Sequence, residues 1–188
     1  GVQTCALPIL FPNPLTNKPY ENIYQSQSFT LQGQKVPRTY ANLAKSWSSK
    51  IVYKNCDLII ETLLQNQVIL LTAGTGVGKT ILVPRIALHA FNYDEKVICT
   101  IPKRFPTFST AEFVAQCMDS KLGEHVGYYY QGTNQTNKNN VESKLIFTTT
   151  GPLISRMTGN DPLLQDYKCI IVDEAHERSV QTDQLLLY

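Results

Sequence analysis

The sequence predicts an α/β fold in three α/β/α layers, with a mostly parallel sheet, and three observations carry that expectation. From residue 68 onward, short and wholly apolar runs alternate with stretches of helical length, and strands joined through helices close as right-handed crossovers in a parallel sheet. The first apolar run leads directly into a glycine-rich loop, AGTGVGKT at 73–80. The last ends on two adjacent carboxylates, Asp173 and Glu174.

Taken in order, the first nine residues, GVQTCALPI, read as a translated sequencing adapter, lacking the basic start and long apolar middle of a secretory signal. Residues 10–49 are expected to be an N-terminal arm. Its stretch 10–38 is rich in Pro, Asn, Gln, Thr and Tyr, shows no sustained period, and is expected to be irregular. A short helix follows over Tyr40–Ser48, carrying Trp47, the only tryptophan. Residues 50–188 form the expected nucleotide-binding domain. In it KNCDLIIETLLQ (54–65) has apolar positions at helical spacing, and Asn66 and Gln67 end it. VILLT (68–72), KVICTI (96–101), KLIFTT (144–149) and KCIIV (168–172) read as strands covered on both faces. The helices between and after them are expected at 79–91 despite Pro84, at 110–118, at 152–157 and at 179–187. QGTNQTNKNNVES (131–143) is polar and reads as a surface loop; its Asn134 sequon has no secretory signal to make use of it.

Composition narrows the classes. With 188 residues and 43% hydrophobic residues the chain can bury a sizeable core. Seventeen basic against fifteen acidic side chains leave a net charge of +2. That excludes a polybasic tail but leaves room for a locally positive groove. The longest apolar runs are too short to cross a bilayer, so no membrane partner is expected. Cys56, Cys99, Cys117 and Cys169 are scattered, with no C-x-x-C pair at metal-ligand spacing. Cys99 and Cys169 lie inside apolar runs and read as buried thiols, which suits a reducing, intracellular compartment.

The chemistry concentrates at two places. Gly74, Gly76 and Gly78 let the backbone take positive φ and approach a ligand without a Cβ in the way. Together with Ala73, Thr75 and Val77 they offer successive N–H groups as an anion nest, closed by the positive end of the following helix. Lys79 is placed to reach the β and γ phosphates, and the Thr80 hydroxyl to hold Mg²⁺. The G-x-x-x-x-G-K-[ST] pattern is met except at its first position, where Ala73 stands. Asp173 supplies the expected partner for the Mg²⁺ shell, and Glu174 a carboxylate to orient or deprotonate the attacking water. Adjacent strand residues point to opposite faces, so both serve one site only if the chain bends just past the strand. ATP and Mg²⁺ are the cofactors this pattern implies.

DEAHERS (173–179), following AGTGVGKT, resembles the DEAH-box helicases of superfamily 2. Pro102-Lys103-Arg104 resembles the family's T-Q-P-R-R segment, Thr149-Thr150-Gly151 its T-D-G segment, and VGYYY (126–130) its V-G-Y strand. The likeness covers residues 50–188, and the wording of the arm, with LTNKPY, resembles helicases of large DNA viruses. It implies a first RecA-like domain truncated at its C-terminus, a second RecA-like domain elsewhere, and little activity from this chain alone. It also implies Lys103, Arg104, Thr149 and Thr150 along a nucleic-acid backbone, single-stranded RNA or DNA, and His176 linking nucleotide to interdomain contacts. Phe113 stands where the family has an adenine-stacking arginine; it either stacks on the base or packs in the core. Lys103 replaces an arginine and Thr150 an aspartate. The expected function is therefore an ATP-dependent RNA helicase working in cytoplasm, nucleus or viral factory. The alternatives are a DNA helicase or translocase of the same superfamily, and a nucleotide-dependent binding module without unwinding. Retention of Glu174 argues against the last.

Overall fold

Two periodicities build the fold: strands that bury both faces and helices that bury one or two. The computed structural model describes residues 26–29, 35–38, 40–131, 133–134 and 143–187. The adapter-like residues 1–9, and most of the polar 131–143 loop, lie outside them. The elements run β1 (Ser26–Phe29), β2 (Lys35–Arg38), α1 (Tyr40–Ser48), α2 (Ile51–Lys54), α3 (Cys56–Gln65), α4 (Lys79–Ala90) and β3 (Val97–Thr100). They continue with α5 (Arg104–Cys117), β4 (Val126–Tyr130), β5 (Thr133–Asn134), β6 (Leu145–Thr148), α6 (Thr150–Thr158), β7 (Cys169–Val172), a 3₁₀ turn (Ala175–Glu177) and α7 (Val180–Leu186). No helix among the described residues is long and apolar enough to cross a membrane.

The sheet has the order β5-β4-β6-β3-β7, with β4, β6, β3 and β7 parallel and β5 antiparallel to β4. Strand alternation sends Val97, Cys99, Val126, Tyr128, Leu145 and Phe147 to one face, where α4 and α5 cover them. Ile98 and Ile146 go to the other, under Leu153 and Met157 of α6 and Leu185 of α7. These are the three layers the sequence predicts. Full burial of a side chain such as Phe147 or Leu145 stabilises by roughly 1.5–3 kcal/mol, which fixes the register of every strand.

Helix α4 buries two faces. Ala87 and Leu88 meet the sheet, while Leu82 and Ile86 meet α1 and α3, with Tyr40, Leu43, Trp47, Ile59 and Ile60. The N-terminal helix α1 is therefore part of the same packed body. Arg85 anchors the junction: its guanidinium lies 4.4 Å from the Trp47 ring and donates to the Cys117 carbonyl at 3.0 Å.

Several expectations are corrected. The VILLT run is not a strand: residues 66–74 carry no regular structure. Val68 and Leu70 are 85% and 86% exposed while Ile69 and Leu71 are half-buried, a strand's alternation without a strand's partner. Among the described residues β7 pairs with β3 alone, so no neighbouring strand supplies the ladder that an apolar run needs. For the same reason Cys169, on the outermost strand, is only partly buried, whereas Cys99 is fully buried. The arm is not irregular throughout, because β1 and β2 pair antiparallel; four-residue strands are too short to show a period. Helix α5 begins at Arg104, well before residue 110, since Pro106 falls in its first turn, where proline's missing N–H costs nothing. The 54–65 helix is split, α2 ending and α3 beginning around Asn55.

His89 supplies a test of this packing. Burial lowers its pKa below the ordinary histidine value, and its Nε2 is buried without a hydrogen-bond partner among the described residues. The folded state thus keeps the ring neutral, while the unfolded chain takes up a proton near pH ~6.5. The resulting stability is complete above that pH and is lost as pH falls through it. Denaturant unfolding should show stability declining from about pH 7 to about pH 5.5. His89→Phe should flatten the slope; an unchanged slope would place the titrating group elsewhere.

Candidate nucleotide and nucleic-acid site

The loop at 73–80 turns on two glycines in the left-handed region, Gly76 at φ 72° and Gly78 at φ 98°. At Gly78 a Cβ would come within 2.9 Å of Leu82 Cδ1 and 3.5 Å of Lys50 Cβ, so the position is closed to other residues by both φ and space. The Lys79 ammonium donates to the carbonyls of Ala73 and Gly74, each at 2.7 Å, and so spans the mouth of the loop. Thr75, Gly76 and Ala73 are exposed, which leaves the loop open to a ligand.

Thr80 opens helix α4, and its hydroxyl donates to Asp173 Oδ2 at 2.5 Å across 93 residues of chain. Asp173 directly follows β7, and its other oxygen accepts the Glu174 N–H at 3.0 Å. Glu174 takes left-handed φ 52° and ψ 36°. This is the bend that two adjacent strand-end carboxylates require in order to face one site. His176 Nδ1 lies 3.3 Å from Glu174 Oε2 on the following 3₁₀ turn, with its side chain 79% exposed. The turn ends at Arg178, also left-handed, which pairs with Asp183; Ser179 caps α7 by accepting the Thr182 N–H at 3.1 Å.

The donor set fits Mg²⁺. A hydroxyl and a carboxylate oxygen already meet, and hard oxygen ligands suit that ion. Among the described residues no cluster of three or more His, Cys, Asp or Glu is built to cage a metal. Such a site suits an ion held by one or two protein oxygens together with phosphates and water.

Register places the remaining residues on the same edge. Thr100 of β3 is level with Thr148 of β6 and Val172 of β7, and Tyr129 of β4 is level with Thr148. One step further on therefore stand Tyr130, Thr149, Ile101 and Asp173, in that spatial order. Three strand spacings, about 14 Å, separate the first from the last. Lys103 and Arg104 lie just past β3, both exposed. The Arg104 guanidinium sits over the Tyr130 ring at 5.8 Å.

Not every expected residue reaches the edge. Thr150 is 5% exposed and lies in the interior, whereas Thr149 is half-buried and stands at the N-cap position of α6 without a capping side-chain bond. Phe113 packs half-buried against the α1–α3–α4 cluster, the core-packing alternative. Tyr128 is buried and edge-on to Phe108. Tyr129 packs with the α6–α7 side of the sheet and Tyr130 against the α4–α5 side, both partly buried. Two contacts had no sequence signal. Lys50, between α1 and α2, donates to the Gly76 carbonyl at 3.1 Å from 26 residues upstream. Gln181 of α7 lies 3.6 Å from where a Gly151 Cβ would stand, which brings α7 against the start of α6.

Comparison with known proteins agrees with this geometry. The family description DEAD/DEAH box helicase matches residues 54–186. A putative ATP-dependent RNA helicase of Acanthamoeba polyphaga mimivirus is 38% identical over 179 residues, 95% of this chain and 23% of that protein. The ATP-dependent RNA helicase HrpA of Borreliella burgdorferi is 37% identical over 136 residues, 72% of this chain and 16% of that protein. A DExH-box ATP-dependent RNA helicase of Arabidopsis thaliana is 36% identical over 129 residues, 69% of this chain and 12% of that protein. The chain thus spans less than a quarter of the length of these relatives. Strand register, glycine-rich loop and carboxylate bend converge with a match over most of the sequence: the chain belongs to the DEAD/DEAH box helicase family.

Proposed function

We propose that this chain is the first RecA-like domain of an ATP-dependent RNA helicase, binding Mg²⁺-ATP at one end of the sheet edge and a single strand along the rest. The observation that carries the reading is the meeting of Thr80 and Asp173 beside a left-handed Glu174. Bound Mg²⁺ would act as a Lewis acid on the phosphoryl oxygens. Thr80 and Asp173 would hold it, and the N–H groups of residues 74–80 would take the phosphate oxygens. Lys79 would exchange its two carbonyl acceptors for the β and γ phosphates, which needs only a rotation of its flexible stem. Glu174, two-fifths exposed and tethered to His176, is free to orient and deprotonate water.

Hydrolysis at full rate calls for cations from a second domain, since arginine fingers are worth on the order of 10³ to 10⁵ in phosphoryl-transfer rate. Exposed His176, beside Glu174, would report nucleotide state to such a domain. Lys103, Arg104 and Thr149 would contact phosphates rather than bases, as suits a motor that must run on any sequence. RNA rather than DNA rests on the names of the relatives.

In the full-length protein, Glu174→Gln should lower turnover by roughly 10²-fold or more while nucleotide affinity stays near wild type. Lys79→Ala should weaken nucleotide binding roughly tenfold or more. Equilibrium binding of a fluorescent nucleotide alongside steady-state phosphate release separates the two. Loss of affinity in Glu174→Gln comparable to that in Lys79→Ala would contradict this division of roles.

A further inference from the structure

Phe105, just past β3, is a large apolar residue whose exposure the phosphate track does not explain. It is 78% exposed, although it opens a helix whose next turns bury Thr107, Ala111 and Val114. A large aromatic left in water at a helix start contributes nothing to the core, and its neighbours are specific. Lys103 and Arg104 immediately precede it, both exposed. Arg104 is not splayed into solvent but leans over the Tyr130 ring at 5.8 Å. Tyr130 in turn tilts against Tyr128 at 5.8 Å, and Tyr128 meets Phe108 edge-on at 5.3 Å. A guanidinium and a partly buried tyrosine therefore meet toward the β4 end of the edge, and exposed Phe105 follows that arginine in the first turn of α5.

We infer that Phe105, next in the chain after the phosphate-contacting Arg104, forms a stacking platform for an unpaired nucleobase of the bound strand. This rests on the nucleic-acid reading above and adds a base contact to it. The occupant follows from the chemistry. Two exposed cations just before an exposed aromatic ring match a polymer that alternates phosphate with planar base, and bases stack on aromatic rings irrespective of sequence. A peptide partner would make no use of the paired cations, and a duplex would keep its bases out of reach of the ring. The platform holds a base without reading it, so it adds grip and a fixed register for the strand without adding sequence preference.

The test compares two single strands of RNA of equal length and charge, one carrying ordinary bases and one abasic at its central positions, in titrations of the full chain at several salt concentrations. Phe105→Ala should weaken the base-bearing strand on the order of tenfold, within the range of one stacked base. It should leave the abasic strand and the salt slope unchanged. Phe105→Trp should restore the affinity. Arg104→Ala should lower the slope of log affinity against log salt by roughly 0.7, the single-strand value per phosphate contact. The exposure of Phe105 means that its loss should not shift the unfolding midpoint. No loss in Phe105→Ala, or equal loss on both strands, would overturn the platform while leaving the phosphate track standing. Failure of the wild-type chain to bind either strand would overturn the nucleic-acid reading itself.

Discussion

The structure depends on one short contact, the hydroxyl of Thr80 against the carboxylate of Asp173. It joins the first turn of α4 to the end of β7, elements 93 residues apart in sequence. No backbone ladder holds them together, since residues 66–74, which lead into the loop, pair with no strand among the described residues. The site is positioned by side-chain packing instead. Helix α4 is fixed on two faces, against β3 and β6 on one side and α1 and α3 on the other, and β7 is fixed by its pairing with β3. A helix held on two faces has little freedom to translate, because each fully buried aliphatic side chain resists displacement by roughly 1.5–3 kcal/mol.

The same packing divides the edge of the sheet. Because β4, β6, β3 and β7 run parallel and in register, the segments after them leave the sheet on one side. The β7 end collects acidic oxygens and the glycine-rich loop; the β4 end collects a cation and aromatic rings. Between them α6 starts at Thr150, and its Gly151 lies against Gln181 of α7, the helix that follows the carboxylate bend. A Cβ at Gly151 would meet Gln181 at ordinary contact distance, so the two helices touch there without a glycine being required.

Much of this was legible in the sequence, for stated reasons. Buried strands in a parallel sheet are apolar on both faces, so KVICTI and KLIFTT declared themselves, while KCIIV forms a strand that is only partly buried, with Ile170 exposed; the boundaries of α1 were readable from Tyr40 to Ser48. The loop and carboxylates were visible because their backbone demands, positive φ at glycine and a bend after a strand, leave residue signatures. VILLT misled because apolarity reports burial potential and says nothing about whether a neighbouring strand is at hand. Pattern alone set Thr150 on the edge, where the folded chain buries it, and left Phe113 between base and core, where it packs in the core. One register position or one helical step decides whether a side chain faces the edge or the core, as half-buried Thr149 beside buried Thr150 shows. Lys50 and Gln181 carried no signal at all, since each acts through a contact made only by the folded chain.

The measurement that bears most directly on this account is a double-mutant cycle on nucleotide affinity with Thr80→Ala and Asp173→Asn, run with Mg²⁺ and again in chelator. If the two side chains form one metal-binding unit, they should be coupled by about 1 kcal/mol or more with Mg²⁺ present and should be nearly independent without it. Additive effects in Mg²⁺, or a coupling of equal size in chelator, would mean that the Thr80–Asp173 contact is only a structural hydrogen bond, and the site would have to be assigned to other residues.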